Sequence, residues 1–191
     1  MPPKNKYSRK EVVKAAFKVV DDYGLSNLTA RRVADRLGSS TAPVYSHFAN
    51  MEELTNAVIE DVRTLFLDYT RRPYTDILFL NMGTGIAMFA CEHRKLYRSM
   101  LLETSNYREA VFGILEVLKS DMAGDPRFAA WTAEERQVLL RKMWTFTHGL
   151  SSMISAGLLD ECSEESIVRT LKDIGRDVIG AAMARHEASL N

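Results

Sequence analysis

Leu28–Leu54, LTARRVADRLGSSTAPVYSHFANMEEL, reads as two short helices joined by a tight turn, the second ending in the aromatic Phe48. Thr29 is placed to cap a helix whose Val33, Ala34 and Leu37 form one apolar stripe. Gly38 supplies the left-handed residue that stops it. Ser40 is the expected cap of the second helix. Pro43 is tolerated in its first turn, where backbone N–H groups have no intrahelical acceptor. Val44 and Phe48 then face inward, while Thr41, Ala42, Ser46 and His47 face out. A helix–turn–helix is built this way: one helix braces on the phosphate backbone and the other offers short polar side chains to the major groove. The pattern alone is equally compatible with a helical hairpin inside a bundle.

The charge distribution separates the two. The chain of 191 residues is formally neutral, with 25 Lys and Arg against 25 Asp and Glu. Residues 1–50, however, hold nine basic residues (Lys4, Lys6, Arg9, Lys10, Lys14, Lys18, Arg31, Arg32, Arg36) against four acids, a net of +5. The remainder carries the opposite excess. A basic segment that coincides with a helix–turn–helix pattern suits a protein that docks one end on phosphate. No run of 18 apolar residues and no signal-peptide pattern is present, so a cytoplasmic protein is expected. Cys91 and Cys162 lie far apart in the chain, in neither a metal nor a redox spacing, and are expected as reduced core thiols.

Helical periodicity runs from end to end. Ser8 and Glu11 form a capping box for a helix carrying Val12, Ala15, Ala16, Val19, Val20 and Tyr23 on one stripe, ended by Gly24. Asn50 and Glu53 open a long helix through Tyr69, stopped near Arg71-Arg72-Pro73. Further helices are expected over about 75–91, 94–103 and 106–122, followed by a turn at Gly124-Asp125-Pro126. Thr132 and Glu135 open a helix to about Ala156, and the last runs from near Ser163 to about His186. The expectation is an all-α chain of about nine helices: a helix–turn–helix domain over 1–50, then a ligand-binding and dimerisation bundle over 51–191. The long fourth helix is shared between the two.

The order of the capped first helix, Tyr23-Gly24, Leu28-Thr29, Val33-Ala34, Leu37-Gly38, Ser40, Val44-Tyr45, His47-Phe48 and Glu53-Leu54 resembles the TetR family of bacterial transcriptional regulators. The likeness covers about residues 8–60; Trp144 to Leu150 is a weaker echo of a penultimate helix. The resemblance implies that Tyr45, His47 and Thr29 contact phosphate, and that Thr41, Ala42 and Ser46 face the bases. With Arg31, Arg32, Ser40 and Pro43 these make up the expected DNA contact set. Phenol, hydroxyl and imidazole N–H groups are phosphate donors, and short side chains let a helix sit deep. No Arg, Lys, Asn or Gln lies between Ser40 and Phe48, so bidentate reading of guanine or adenine is not available there. Many family members have a lysine where Met51 stands, which implies a salt dependence shallower by about one unit.

Two half-sites on a palindromic operator require a dimer, and the last two helices are the expected homodimer interface. The penultimate one carries apolar residues in too many directions for a single solvated face. In the last, Gly175, Gly180, Ala181 and Ala184 permit close approach. Phe66, Met82, Ile86, Phe89, Met100, Phe112, Leu115, Met143, Phe146 and Thr147 are the candidates for lining an effector cavity, with Thr84, Thr147, His148 and Ser151 as buried polar groups. No charged residue stands out among them, which favours a small apolar or amphipathic effector. No metal or cofactor is expected. The scattered histidines (His47, His93, His148, His186) and the absence of HExxH, CxxC or a phosphate loop speak against an enzyme. The function expected is thus a ligand-responsive repressor of transcription that binds double-stranded DNA and a small-molecule effector. The alternative is a helical binding or scaffold protein with a degenerate DNA module.

Overall fold

A computed structural model describes residues 7–102, 108–159 and 161–189, with the side chains of 108–112 and 189 left aside. Nine α-helices and two short 3₁₀ turns make up the described residues, and no strand occurs among them. The helices are α1 (Arg9–Tyr23), α2 (Ala30–Leu37), α3 (Ala42–His47), α4 (Met51–Thr70), α5 (Leu78–Glu92), α6 (Arg94–Leu101), α7 (Arg108–Ala123), α8 (Ala133–Ser155) and α9 (Glu164–Ser189). The all-helical expectation is met. Two compact units are present: residues 1–65 with 95–104, and residues 66–94 with 105–191. The division falls inside α4, and α6 groups with the first unit.

In the first unit the local signals act as the sequence suggests. Ser8 and Glu11 cap α1 reciprocally, the Thr29 hydroxyl accepts from the Arg32 N–H at 3.3 Å, and Gly38 takes φ 62, ψ 42. Asn50 accepts from the Glu53 N–H at 2.9 Å. Val12 and Ala16 of α1, Val33 of α2, Val44 of α3, and Leu54 and Val58 of α4 are fully buried. Two expectations fail locally. The cap of α3 is Thr41, without a side-chain bond, while Ser40 Oγ only reaches the Ala42 N–H at 3.4 Å. Tyr23 is 50% exposed; it ends its helix under the Arg32 guanidinium at 4.9 Å, with the Lys95 ammonium 5.8 Å from its ring.

The second unit is a bundle centred on α5. That helix packs against α8 and α9 and more lightly on α7, which explains why it is apolar on more than one face. Gly85 has no room for a side chain: a Cβ there lies 2.1 Å from the Tyr69 carbonyl oxygen. Asp125, 2% exposed, accepts from the Phe79 N–H at 3.2 Å and from Arg127 at 3.0 and 2.7 Å, fixing the start of α5 to the turn after α7. Burial alone raises its pKa, but the Arg127 and backbone donors outweigh that and hold the carboxyl below its ordinary value. Glu135 and His186 join the start of α8 to the end of α9 at 2.7 Å.

The cysteines correct the sequence reading. Cys91 at the end of α5 and Cys162 just before α9, separated by 71 residues, form a disulfide with Cα atoms 6.2 Å apart, and no free thiol is present. Sequence distance said nothing of their distance in space, because α9 returns along α5.

Candidate nucleic-acid interface and ligand cavity

On α3 and its C-cap Phe48, residues four apart turn inward and those between them turn out. Val44 and Phe48 are 0% and 1% exposed, whereas Tyr45 between them is 56% exposed. A six-residue helix is too short to be stable alone, so its inner residues hold it on the core and its outer face is free to carry other chemistry. Ala42 and Ser46 are exposed on the same short element, with Thr41 and Pro43 half-buried at its start. The Ser46 hydroxyl donates to the Pro43 carbonyl at 2.9 Å. Its proton is therefore occupied, and what it offers outward is acceptor capacity.

His47 is half-buried, and its Nε2 lies 2.7 Å from the Tyr7 carbonyl oxygen. A carbonyl only accepts, so a neutral ring carries its proton on Nε2, facing Tyr7. The Tyr7 hydroxyl in turn donates to the Leu37 carbonyl. Together these bonds tie the chain ahead of α1 to both helices of the motif. Sequence reasoning had His47 only as a phosphate donor; this tethering role has no local signal, since 40 residues separate the partners.

Around α2, Thr29, Arg31 and Arg32 are exposed. Arg36 is paired with Asp22 and Arg32 lies over Tyr23, whereas Arg31 makes no ion pair among the described residues. Ser99 of α6 was not foreseen. Its hydroxyl accepts from the Leu25 N–H at 3.1 Å, at the 3₁₀ turn between α1 and α2, and Lys95 donates to the Asp22 carbonyl. These bonds explain why α6 groups with the helix–turn–helix.

The second unit contains a cavity of about 360 Å3 between α5, α8 and α9. Of the residues proposed from sequence, Met82, Ile86, Met143 and Thr147 line it. Phe66 and Phe89 are fully buried, packed edge-to-face at 5.2 Å. Met100 is buried in the first unit, Leu115 is half-buried away from the cavity lining, and Phe146 borders a broader surface cleft. The side chain of Phe112 lies outside the described residues. Thr84 and Ser151 are fully buried but off the cavity, and their hydroxyls find no hydrogen-bond partner among the described residues. His148 is half-buried and stacked on Trp144 at 5.6 Å, and burial lowers its pKa.

The sequence had no view of α9's share in this cavity. Leu171, Gly175, Ile179 and Met183 line it, as do Lys172 and Arg176, and Arg127 completes the charged residues there. Gly175 and Gly180, both expected at a dimer contact, line this space, Gly175 buried and Gly180 exposed, whereas Ala181 and Ala184 are exposed and do not line it. Among the described residues no helix is long and apolar enough to cross a membrane.

Residues 12–58 match the family model of bacterial regulatory proteins, tetR family. Over 61 residues, 32% of this chain, the sequence is 38% identical to the class C tetracycline repressor protein of Escherichia coli; the match spans 28% of that repressor. Solved structures extend the likeness to nearly the whole chain. The fatty acid degradation regulator FadR from Bacillus halodurans superposes with a TM-score of 0.65 at 15% identity, covering 94% of this chain and 96% of that one. SmeT, the repressor of the Stenotrophomonas maltophilia multidrug efflux pump SmeDEF, does so with 0.58 at 19% identity, covering 95% and 91%. At such identities the fold is what is shared.

Proposed function

We propose, on the premise that the chain belongs through residues 12–58 to the tetR family of bacterial regulatory proteins, that it is a cytoplasmic, ligand-responsive repressor of transcription and not an enzyme. The observation that carries this reading is the division of α3, where a 56% exposed Tyr45 stands between core residues Val44 and Phe48. A stiff inner face with a phenol and short polar groups outside is what a groove-entering helix requires. In this reading Tyr45, Thr29 and Arg31 hold phosphates, while Thr41, Ala42 and Ser46 meet base edges. Ser46, with its proton committed to Pro43, accepts from the exocyclic amine of adenine or cytosine. A phosphate bond from His47 requires the imidazolium form, because the neutral ring's proton serves Tyr7.

A palindromic operator is matched by a homodimer through α8 and α9. Support comes from Phe146, Leu150 and Met153, at i, i+4 and i+7 on α8, which stay half-buried or exposed in the single chain. A small, largely apolar effector enters the cavity between α5, α8 and α9 and favours a dimer geometry that no longer fits successive grooves. Helix α4, which runs through both units, carries that change. Linkage then demands reciprocity: operator DNA weakens effector binding by the same factor by which effector weakens DNA binding. Titration of each ligand in the presence of the other tests this, and effector affinity that ignores the operator contradicts it. A helical scaffold with a degenerate DNA module predicts no salt-sensitive duplex binding at all.

A further inference from the structure

The cavity's interior and its rim have different chemistry. Its walls are apolar, with Phe79, Met82 and Ile86 on α5, Leu140 and Trp144 on α8, and Leu171 on α9. Among the described residues, every charged one that lines it is a cation, and no carboxylate does. Two of the three cations are already engaged. Arg127 forms a bidentate pair with the buried Asp125, and Arg176 pairs with Asp173 at 3.3 Å. Lys172 is exposed at the cavity's edge and also borders the surface cleft lined by Glu164, Glu165 and Asp173, but it pairs with no carboxylate among the described residues, and Asp173 is held by Arg176. The site thus presents one unneutralised ammonium at the edge of an apolar chamber. A neutral apolar ligand leaves that charge unanswered, and a cationic one is repelled by it.

We propose that the effector is a monoanionic amphiphile: a carboxylate that pairs with Lys172 at the rim and an apolar body that fills the chamber. The inference rests on the reading of this cavity as the effector site and adds the ligand's class to it. Size follows from volume. A dry cavity of 150 Å3 accommodates benzene, so about 360 Å3 suits a ligand of roughly 14 non-hydrogen atoms on the same scale. Dodecanoate has that size and serves as the probe. Gly175 contributes by leaving its wall bare: a methyl there lies 3.7 Å from Ile179 Cδ1, an ordinary contact that narrows the chamber without forcing the helix. Alanine also favours helix over glycine, so Gly175→Ala folds as well as or better than the native chain.

Calorimetry on the full chain, below the micellar range, compares dodecanoate, dodecanol and dodecyltrimethylammonium. Dodecanoate is expected to bind about tenfold more tightly than dodecanol, in line with a charge-assisted bond at a partly solvated site, and the ammonium most weakly. Lys172→Gln brings the acid and the alcohol to near parity, and Lys172→Arg restores the preference. Gly175→Ala weakens acid and alcohol together while leaving duplex binding intact. Equal affinity for acid and alcohol in the native chain, or a preference for the ammonium, overturns the anionic head and leaves the cavity as an apolar effector site. Failure of all three probes to bind, with no release of DNA, overturns the cavity reading as well.

Discussion

The two units use helices for opposite purposes. In the first, short helices bury a small core and push their polar residues outward: α3 spends Val44 and Phe48 on holding itself in place so that Tyr45 can stay in solvent. In the second, long helices surround α5 and keep a space inside, lined where Gly175 and Gly83 lack side chains. The first unit displays its functional chemistry on a surface; the second encloses it. Substitutions in one unit are therefore expected to alter one ligand and spare the other directly, with any cross-effect a measure of coupling.

The largest effect comes from removing the support of the displayed face. Phe48→Ala takes out a fully buried ring and costs about 3–5 kcal/mol, so circular dichroism and urea unfolding should show early loss of the first unit and duplex binding should vanish. Dodecanoate binding that falls equally would break the separation of the units. The counterpart in the enclosing unit is Gly85→Ala. Its methyl meets the Tyr69 backbone, and the resulting displacement of α4's end from α5 is expected to cost about 2 kcal/mol, read in urea unfolding. A neutral outcome would mean that this close approach is not maintained in solution.

Smaller changes sharpen the roles on the displayed face. Tyr45→Phe deletes a hydroxyl and nothing else, and should weaken every duplex by about tenfold, the scale of one hydrogen bond to a charged group. Ser46→Ala should change the ranking among sequences more than the mean affinity. Arg31→Ala should reduce the salt slope of binding by about one unit, and Arg36→Ala by less, because Asp22 already neutralises it. Equal slopes for the two arginine variants would contradict that assignment.

How much of this was legible depends on range. The caps at Ser8, Thr29 and Thr132, and the left-handed Gly38, are local events within four residues, and each lies where the sequence placed it. The shift from Ser40 to Thr41 at α3 is a one-residue error, caused by two adjacent hydroxyl residues with equal claims to the cap. What was not legible is non-local. The His47–Tyr7 tether, the Leu25–Ser99 bond and the Cys91–Cys162 pair join residues 40, 74 and 71 positions apart, and the contribution of α9 to the cavity is likewise made across distant stretches of chain. Helical periodicity tells which face is apolar, not which partner covers it, so Phe66 and Phe89 looked as suited to a cavity wall as Met82 and Ile86.

The smallest predicted effects are acid-induced, and two of the groups behind them lie in the enclosing unit. Burial lowers the pKa of His148 below 6.5, so the unfolded chain takes up its proton first. That contribution is present above pH 6.5 and declines as the pH falls below it. Glu135 is pushed down to about 2 by its bonds to His186 and then Thr132, against an ordinary 4.5. Its contribution is intact above pH 4.5 and is lost on the way down to pH 2. Thermal unfolding should therefore show two successive acid losses, the upper removed by His148→Gln and the lower reduced by Glu135→Gln but not abolished, because Asp125 is also held below its ordinary value. A stability that rises on acidification through either window would contradict the assignment.

The central claim is that the outward face of α3 binds duplex DNA, and salt titration of the full chain against genomic duplex fragments tests it most directly. The account predicts tight binding at low salt that falls log-linearly, by about 0.9 per phosphate neutralised, and shifts uniformly downward in Tyr45→Phe. Binding that is absent, or that does not change with salt, contradicts it.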